Sequence, residues 1–344
     1  MASGKPGQEV LLDLTVVVVS WNVRELLRQC LRSVYRSLAE AQGLEVPLCA
    51  EVIVVDNASA DGSAQMVLQE FPQARLILNR ENRGFTAANN QALRSAAGRY
   101  FLLLNPDTEV LGDAPQQMVS YLDEHPQVAV VGPKLLYPDG QVQPSRRRFP
   151  TRATGFIEST PLQRAFSRSA ALQRYYVEDL PCDREQEVDW VVGACLAVRG
   201  EAARQVGFFD ESYFMYSEEL DWCYRLKQAG WKVAYLPSAE VKHYEARSSE
   251  QNVLARDLHF HESKCRFYEK AFGSAFGRFL RLFIMLTFVY QLAEESTKLI
   301  VLPRRRRERI LRIRHLARVI RWQVRRLLVP FGSKKISHCG AMII

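Results

Sequence analysis

None of the seven cysteines, Cys30, Cys49, Cys182, Cys195, Cys223, Cys265 and Cys339, forms a Cys-x-x-Cys pair, and their number is odd. That argues against a structural zinc site or a disulfide framework and points to a reducing compartment. No G-x-G-x-x-G follows the first apolar run and no G-x-x-x-x-G-K-[ST] occurs, which disfavours a dinucleotide dehydrogenase and a P-loop NTPase. The opening MASGKPGQEV has no apolar core and does not read as a signal peptide, so the body of the chain is expected in the cytosol. The longest uncharged apolar run, 282–293, is too short for a bilayer crossing, which takes ~20 residues. Internal repeats and low-complexity segments are also missing.

Net positive charge is missing from most of the chain, although the whole carries +8. Residues 304–335 hold thirteen Lys/Arg against one acid, Glu308, which leaves 33 basic against 37 acidic residues elsewhere. Basicity therefore belongs to the tail. There Ile313, Leu316, Ile320, Val324 and Leu327 recur on one helical face with arginines around the rest, the pattern of an interfacial membrane helix. A nucleic-acid-binding protein using this tail is the competing reading; it is disfavoured because the charge lies outside the acidic body and interleaves with apolar residues.

What is present in the first 135 residues is alternation. LTVVVVS (14–20), EVIVVD (51–56), RLILN (75–79), RYFLLLN (99–105) and VAVVG (128–132) read as strands apolar on both faces. Leu27, Leu31, Val34 and Leu38 mark a helix between the first two, and further helices are expected at about 63–71, 85–97 and 114–125. This implies an α/β fold with a mostly parallel sheet flanked by helices, whose ligands bind where strands end. Residues 140–187 read as loop and short helix. Strand signal returns at VDWVVGACLAV (188–198) and KVAYL (232–236), flanking a helix that starts near Ser217.

Polar residues gather where the strands end: Ser20, Trp21 and Asn22; Asp56 and Asn57; Arg83 and Gly84; Asn105, Asp107 and Glu109. Taken singly, Asp56 or Asp61 can be a helix cap; together the groups outline one crevice suited to a nucleotide diphosphate. There Asp56 can accept hydrogen bonds from a base, and Asp107 can hold a divalent cation. A second constellation, Ser217 to Asp221 with Arg225 and His243, has an ordinary alternative. Ser217 can cap a helix with Glu218 and Glu219 in its first turn, Asp221 and Arg225 can form a surface pair, and His243 can be structural.

VVVVSWN, VIVVDNASADGS, ENRGFTAANNQAL, YFLLLNPDTEV, GPKLLYPDGQVQPSRRRFPT, GACLAVRGEAARQVGFFDESYFMYSEELDWCYRLKQAG and YLPSAEVKHYEARSS follow one another in an order and spacing that resemble family 2 glycosyltransferases. The closest branch is the rhamnosyltransferase-like enzymes of bacterial cell-surface polysaccharide synthesis. The resemblance covers about 14–249. It implies a GT-A fold, a catalytic domain over 10–250 with a nucleotide-sugar half (10–135) and an acceptor half (136–250), followed by a helical membrane-associating extension over 251–344.

It also implies roles. Asp56 contacts the base, with Ser20, Asn22, Asn57, Arg83 and Gly84 in the nucleotide site. The DxD position falls on NPD, so Asn105 replaces the first acid and Asp107 is the carboxylate for metal, Mg or Mn, and diphosphate. His243 is a second metal ligand. The "ED" pair falls on Glu218 and Glu219, with Glu219 the expected base in place of Asp, Glu218 the second choice and Asp221 in support. Trp190 is an acceptor-sugar platform or a core side chain, and Gly193 lies beside it. The implied reaction is inverting transfer of a sugar, rhamnose, from a dTDP- or UDP-sugar to a saccharide or lipid-linked acceptor. The expected location is the cytoplasmic face of the inner membrane, held to an anionic surface by the basic helix, with no nucleic-acid partner. A non-catalytic sugar-nucleotide-binding relative is the alternative.

Overall fold

A computed structural model describes residues 12–43, 47–244, 252–301 and 305–328. In chain order the elements are β1 (Leu14–Ser20), α1 (Arg24–Ala41), β2 (Ala50–Asp56), α2 (Ser63–Glu70), β3 (Arg75–Leu78), α3 (Phe85–Leu93), β4 (Tyr100–Leu104), β5 (Thr108–Val110), α4 (Ala114–Glu124) and β6 (Val128–Leu136). There follow β7 (Val142–Gln143), β8 (Arg146–Arg147), α5 (Arg152–Ile157), α6 (Leu162–Ala165), α7 (Ala170–Tyr175), β9 (Gln186–Val188), β10 (Trp190–Val191) and β11 (Cys195–Arg199). The last are α8 (Gly200–Val206), α9 (Glu218–Gln228), β12 (Lys232–His243), α10 (Val253–Phe272), α11 (Ser274–Val301) and α12 (Arg306–Leu328).

The chain divides into two compact units. The first contains the described residues up to Arg147, then Pro181–Phe209, then those from Trp222 to Tyr244. Its sheet runs β3-β2-β1-β4-β11-β6-β12-β5, with β7 beside β6 and β9 beside β12. The expected parallel, doubly covered sheet is its first half: β3, β2, β1 and β4 are mutually parallel. Every residue of β1 is buried. Each of its buried valines contributes about 1.5–3 kcal/mol relative to exposure, and β-branching favours the extended backbone. Beyond β4 the sheet is mixed, because β11 enters antiparallel between β4 and β6.

The expected single strand over 188–198 is interrupted. β9, β10 and β11 belong to different pairings, and the break before β11 falls at Val192–Ala194, around Gly193. β10 lies close to β6, where a Cβ on Gly132 would stand 2.7 Å from Val191. Only glycine fits that approach without a shift.

The second unit comprises Arg148–Leu180, Asp210–Asp221 and the described residues from Asn252 onward. Its body is the helices α10, α11 and α12 with the short α5 and α7. Tyr268 of α10 is buried against α5, its hydroxyl 3.2 Å from Thr154 Oγ1, and Phe156 meets Phe276 and Phe283 edge-on.

Two expectations about the C-terminal region change. The uncharged run 282–293 is the middle of a 28-residue helix, α11, whose length and composition satisfy the requirement for a crossing, with mean hydropathy 1.3 over its most apolar stretch. In α12 the inward side is Leu316, Val319 and Gln323, while Val324, expected on the apolar face, is exposed. The apolar face of α12 is thus partly used inside the unit, because α12 packs along α11 and α10. Residues 302–304 and 329–344 of the basic tail lie outside the described residues.

Candidate active site

The parallel register builds one polar edge. Ser20 of β1 pairs with Asp56 of β2, and Asp56 with Leu78 of β3, so the C-terminal ends of these strands align. β4 ends at Leu104, opposite Val18 of β1, and Asn105 is held there by its N–H donating to Ala194 O at 2.9 Å. Gly193, expected on the acceptor side, adjoins that carbonyl.

Asp56 and Asp61, equivalent as potential caps, separate here. Asp61 serves two helix starts without being the capping residue of either: it accepts from the N–H of Arg24 at the start of α1 (2.8 Å) and from both N–H and Oγ of Ser63 at the start of α2. Asp56 is 4% exposed and accepts from Ser59 N–H through Oδ2 at 3.0 Å, whereas its Oδ1 has no hydrogen-bond partner among the described residues. The Oγ of Ser20 and Oγ1 of Thr86 are buried in the same unpartnered state. Orphaned buried acceptors and hydroxyls cost free energy unless a ligand satisfies them.

The neighbouring loops are fixed by amides. Asn22 takes a left-handed φ of 53° that asparagine tolerates; its Oδ1 accepts from Ala60 N–H at 2.7 Å. Asn57 donates to Asn82 Oδ1 and Gly84 O and accepts from Asn79 Nδ2 and the Arg83 N–H. Thus Asn57 shapes the 79–84 loop rather than standing free for a ligand. Gly84 turns that loop into α3 with φ of 83°, and the Arg83 side chain is exposed.

Asp107 and His243 meet through the pairing of β5 with β12, which sets His243 opposite Thr108. Asp107 is 5% exposed, and its Oδ1 lies 3.5 Å from His243 Nε2, too long for a strong hydrogen bond. The other ring nitrogen, Nδ1, is 3.0 Å from the buried Oε1 of Gln143. With Gln143 as acceptor, Nδ1 carries the hydrogen and Nε2 turns its lone pair toward Asp107. Two donors about 2.1 Å from a common cation stand no more than about 4.2 Å apart, so this pair fits a shared divalent ion. Among the described residues no group of three or more His, Cys, Asp or Glu gathers. Gln143 escaped the sequence reading. Glu109 points elsewhere, accepting from Tyr244 OH at 3.2 Å.

The other acids belong to the second unit. Tyr216 and Ser217, with φ of 68° and 61°, lead into α9; two successive non-glycine residues in the left-handed region mark stored backbone strain. Glu218 follows at 4% exposure with Oε2 unpartnered among the described residues. Burial, and then the charge of Glu219, hold the Glu218 carboxyl well above the usual carboxylate range. Glu219 is half-buried. Asp221 is not a surface acid: it is wholly buried, 2.6 Å from Lys270 Nζ of α10 and 3.5 Å from Tyr213 OH. Arg225, its expected surface partner, donates to the carbonyls of Val206, Gly207 and Phe208 in the first unit. Trp190 is 8% exposed, with Arg147 packed over its ring at 5.9 Å, which fits its core reading.

A family model described as "Glycosyl transferase family 2" matches residues 15–180, and one described as "Glycosyl transferase family group 2" matches 100–325. The chain is 32% identical over 261 residues to the N-acetylglucosaminyl-diphospho-decaprenol L-rhamnosyltransferase of Mycobacterium tuberculosis, covering 73% of this chain and 82% of the relative. The chain belongs to glycosyltransferase family 2. The transferase has the GT-A fold. Similar solved structures are the mannosyltransferase of Pyrobaculum calidifontis in complex with GDP-mannose and Mn2+ (TM-score 0.50, 17% identity, 93% of this chain and 91% of that one) and GalNAc-T7 with UDP, GalNAc and Mn2+ (TM-score 0.51, 16% identity, 78% and 52%). Within this glycosyltransferase, the sheet edge of Asp56 and Asp107 therefore occupies the strand ends where an α/β sheet takes its ligand.

Proposed function

We propose that the enzyme transfers rhamnose, with inversion, from a dTDP- or UDP-linked donor to a saccharide acceptor carried on a lipid diphosphate during cell-surface polysaccharide synthesis. The identity with the mycobacterial L-rhamnosyltransferase carries the sugar and the acceptor class. Asp56 Oδ1 and Ser20 Oγ, buried and unpartnered among the described residues, offer the polar contacts that a nucleoside needs. Asn22, Asn57, Arg83 and Gly84 shape the nucleotide loops, and Asn105 stands at the diphosphate end. Asp107 Oδ1 and His243 Nε2 would hold Mg or Mn, whose charge offsets that of the departing diphosphate.

Glu219 is the base that takes the proton from the acceptor hydroxyl. Its neighbour is less suited, because burial keeps Glu218 protonated to higher pH and a protonated carboxyl cannot accept that proton. Asp221, fixed by Lys270, supports the helix start. Gly193 borders the acceptor side, while Trp190 is a core side chain. The enzyme works at the cytoplasmic face of the inner membrane, held to anionic lipid by the arginines of α12, and nucleic acid is not its partner.

The test is a panel of nucleotide sugars presented to purified protein with and without Mn, scoring nucleotide release. Release from dTDP-rhamnose or UDP-rhamnose above the other donors, dependent on metal, is the expected result. Binding of these donors without release in the presence of acceptor would favour the non-catalytic alternative. Pull-down by anionic vesicles in preference to duplex DNA is expected of the full chain.

A further inference from the structure

Helix α11 is inside out. Its inward side carries Arg281 and Glu295, 1% and 9% exposed, beside Leu280, Ile284 and Phe288. Arg281 pairs with Glu262 of α10 at 2.8 Å and donates to Gln323 of α12 at 3.2 Å, while Glu295 pairs with Arg309 and Arg312 of α12 at 3.0 and 3.5 Å. The outward side is apolar: Leu282, Leu286, Val289, Tyr290, Ile300 and Val301 are exposed, Ile300 at 83%. With 3.6 residues per turn these fall within about a third of the helix circumference, and with Phe279 they extend for roughly 30 Å along it. Ala293 and Thr297 fill the same exposed arc, and no charged residue lies within it.

A helix that buries Arg281 and Glu295 and presents an uncharged stripe of large apolar side chains outward is arranged, along that stripe, for an apolar surrounding. We propose that this stripe on α11 is the part of the enzyme that enters lipid, lying along the surface of an anionic membrane. The inference rests on the reading that the enzyme works at a membrane and names the residues that touch it. Charge selects lipid over a second copy of the chain. Helix α12, packed along α11, exposes Arg312, Arg314, Arg318, Arg321 and Arg325. Pairing two copies through this region would bring like charges together, whereas an anionic leaflet attracts them. The same packing favours lying flat over crossing. The ion pairs of Glu295 with Arg309 and Arg312 and the hydrogen bond from Arg281 to Gln323 tie α11 to α12, and a crossing would carry the arginines of α12 into hydrocarbon, where charge is costly.

The experiment uses the full chain with vesicles of phosphatidylcholine alone and of phosphatidylcholine with phosphatidylglycerol, at low and high salt. Leu282→Ser with Leu286→Ser should lower vesicle binding about tenfold or more, and the loss should persist at high salt, because the lost contact is apolar. Arg314→Gln with Arg318→Gln should weaken binding only to the anionic vesicles and only at low salt. Stripe variants that bind both vesicles like the parent protein would overturn the proposal. So would stripe variants that convert a dimer to a monomer in sedimentation without changing vesicle binding, which would assign the stripe to a second copy. Circular dichroism confirms that each variant is folded. Nucleotide release from the soluble donor, followed in the same preparations, stands or falls with the transferase reading and is independent of the stripe.

Discussion

Asp56 and Asp107 of the first unit and Glu218 and Asp221 of the second are nearly equally buried but held in opposite ways. At the sheet edge, strand register delivers Asp107 to His243, and a turn hydrogen bond fixes Asp56, whose other oxygen has no partner among the described residues. At the start of α9, Glu218, Glu219 and Asp221 crowd one helical turn, and the protein settles the crowding internally, with Lys270 against Asp221 and a proton retained on Glu218 to higher pH. One set keeps an oxygen open toward its surroundings; in the other, Asp221 is tied to Lys270 and Glu218 is held above the usual carboxylate range. The lesson is that burial alone does not mark a catalytic acid: the partner does.

The largest effect should come from Glu219→Gln. It is expected to cut turnover about a thousandfold while donor affinity, read by calorimetry, stays within a few fold. If Glu218→Gln alone gave that loss, the two roles would be exchanged. Asp107→Ala should reduce metal-dependent nucleotide release by about a hundredfold or more; full activity at ordinary Mn would remove Asp107 from the site. Gln143→Leu tests the positioning of His243: the Mn concentration for half-maximal activity should rise about tenfold to a hundredfold, with much of the rate recovered at saturating Mn.

The smallest effect is thermal. An acid whose folded pKa is raised costs stability once the pH climbs past its unfolded value, so Glu218→Gln should melt a few degrees above the parent protein at neutral pH. That difference should close as the pH falls toward the ordinary carboxylate range, about 4.3. An unchanged gap at all pH values would place the cost of Glu218 in packing.

Much of the first unit was legible because its strands are β-branched runs and its helices carry regular apolar spacing: β1, β2 and β4 and helices α1 to α4 lie where those patterns put them. The sheet's mixed second half was not, since nothing local tells β11 to insert antiparallel beside β4. Gly193 was the available signal that 188–198 would break, glycine being weak in a strand interior. Gln143 left no signal at all. In its two-residue strand Val142 is exposed and Gln143 buried, the reverse of the usual pattern, and the buried amide lies against His243, a hundred residues on.

Asp107 and His243 became a pair only through resemblance, since they come together through β5–β12 pairing and not sequence proximity. The charges at 281, 294, 295 and 298 read as interruptions of an apolar run. Two of them, Arg281 and Glu295, are buried against residues of α10 and α12, so the run continues unbroken along the other side of the helix.

The two left-handed residues before α9 set what the chain can vary there. At Tyr216 and Ser217 the backbone, with φ of 68° and 61°, screens substitutions before any side chain is considered. Glycine and asparagine are admitted and β-branched residues turned away. The entrance to the acidic helix is thereby closed to the β-branched valines and isoleucines that dominate the central strands, whatever sugar the enzyme comes to use.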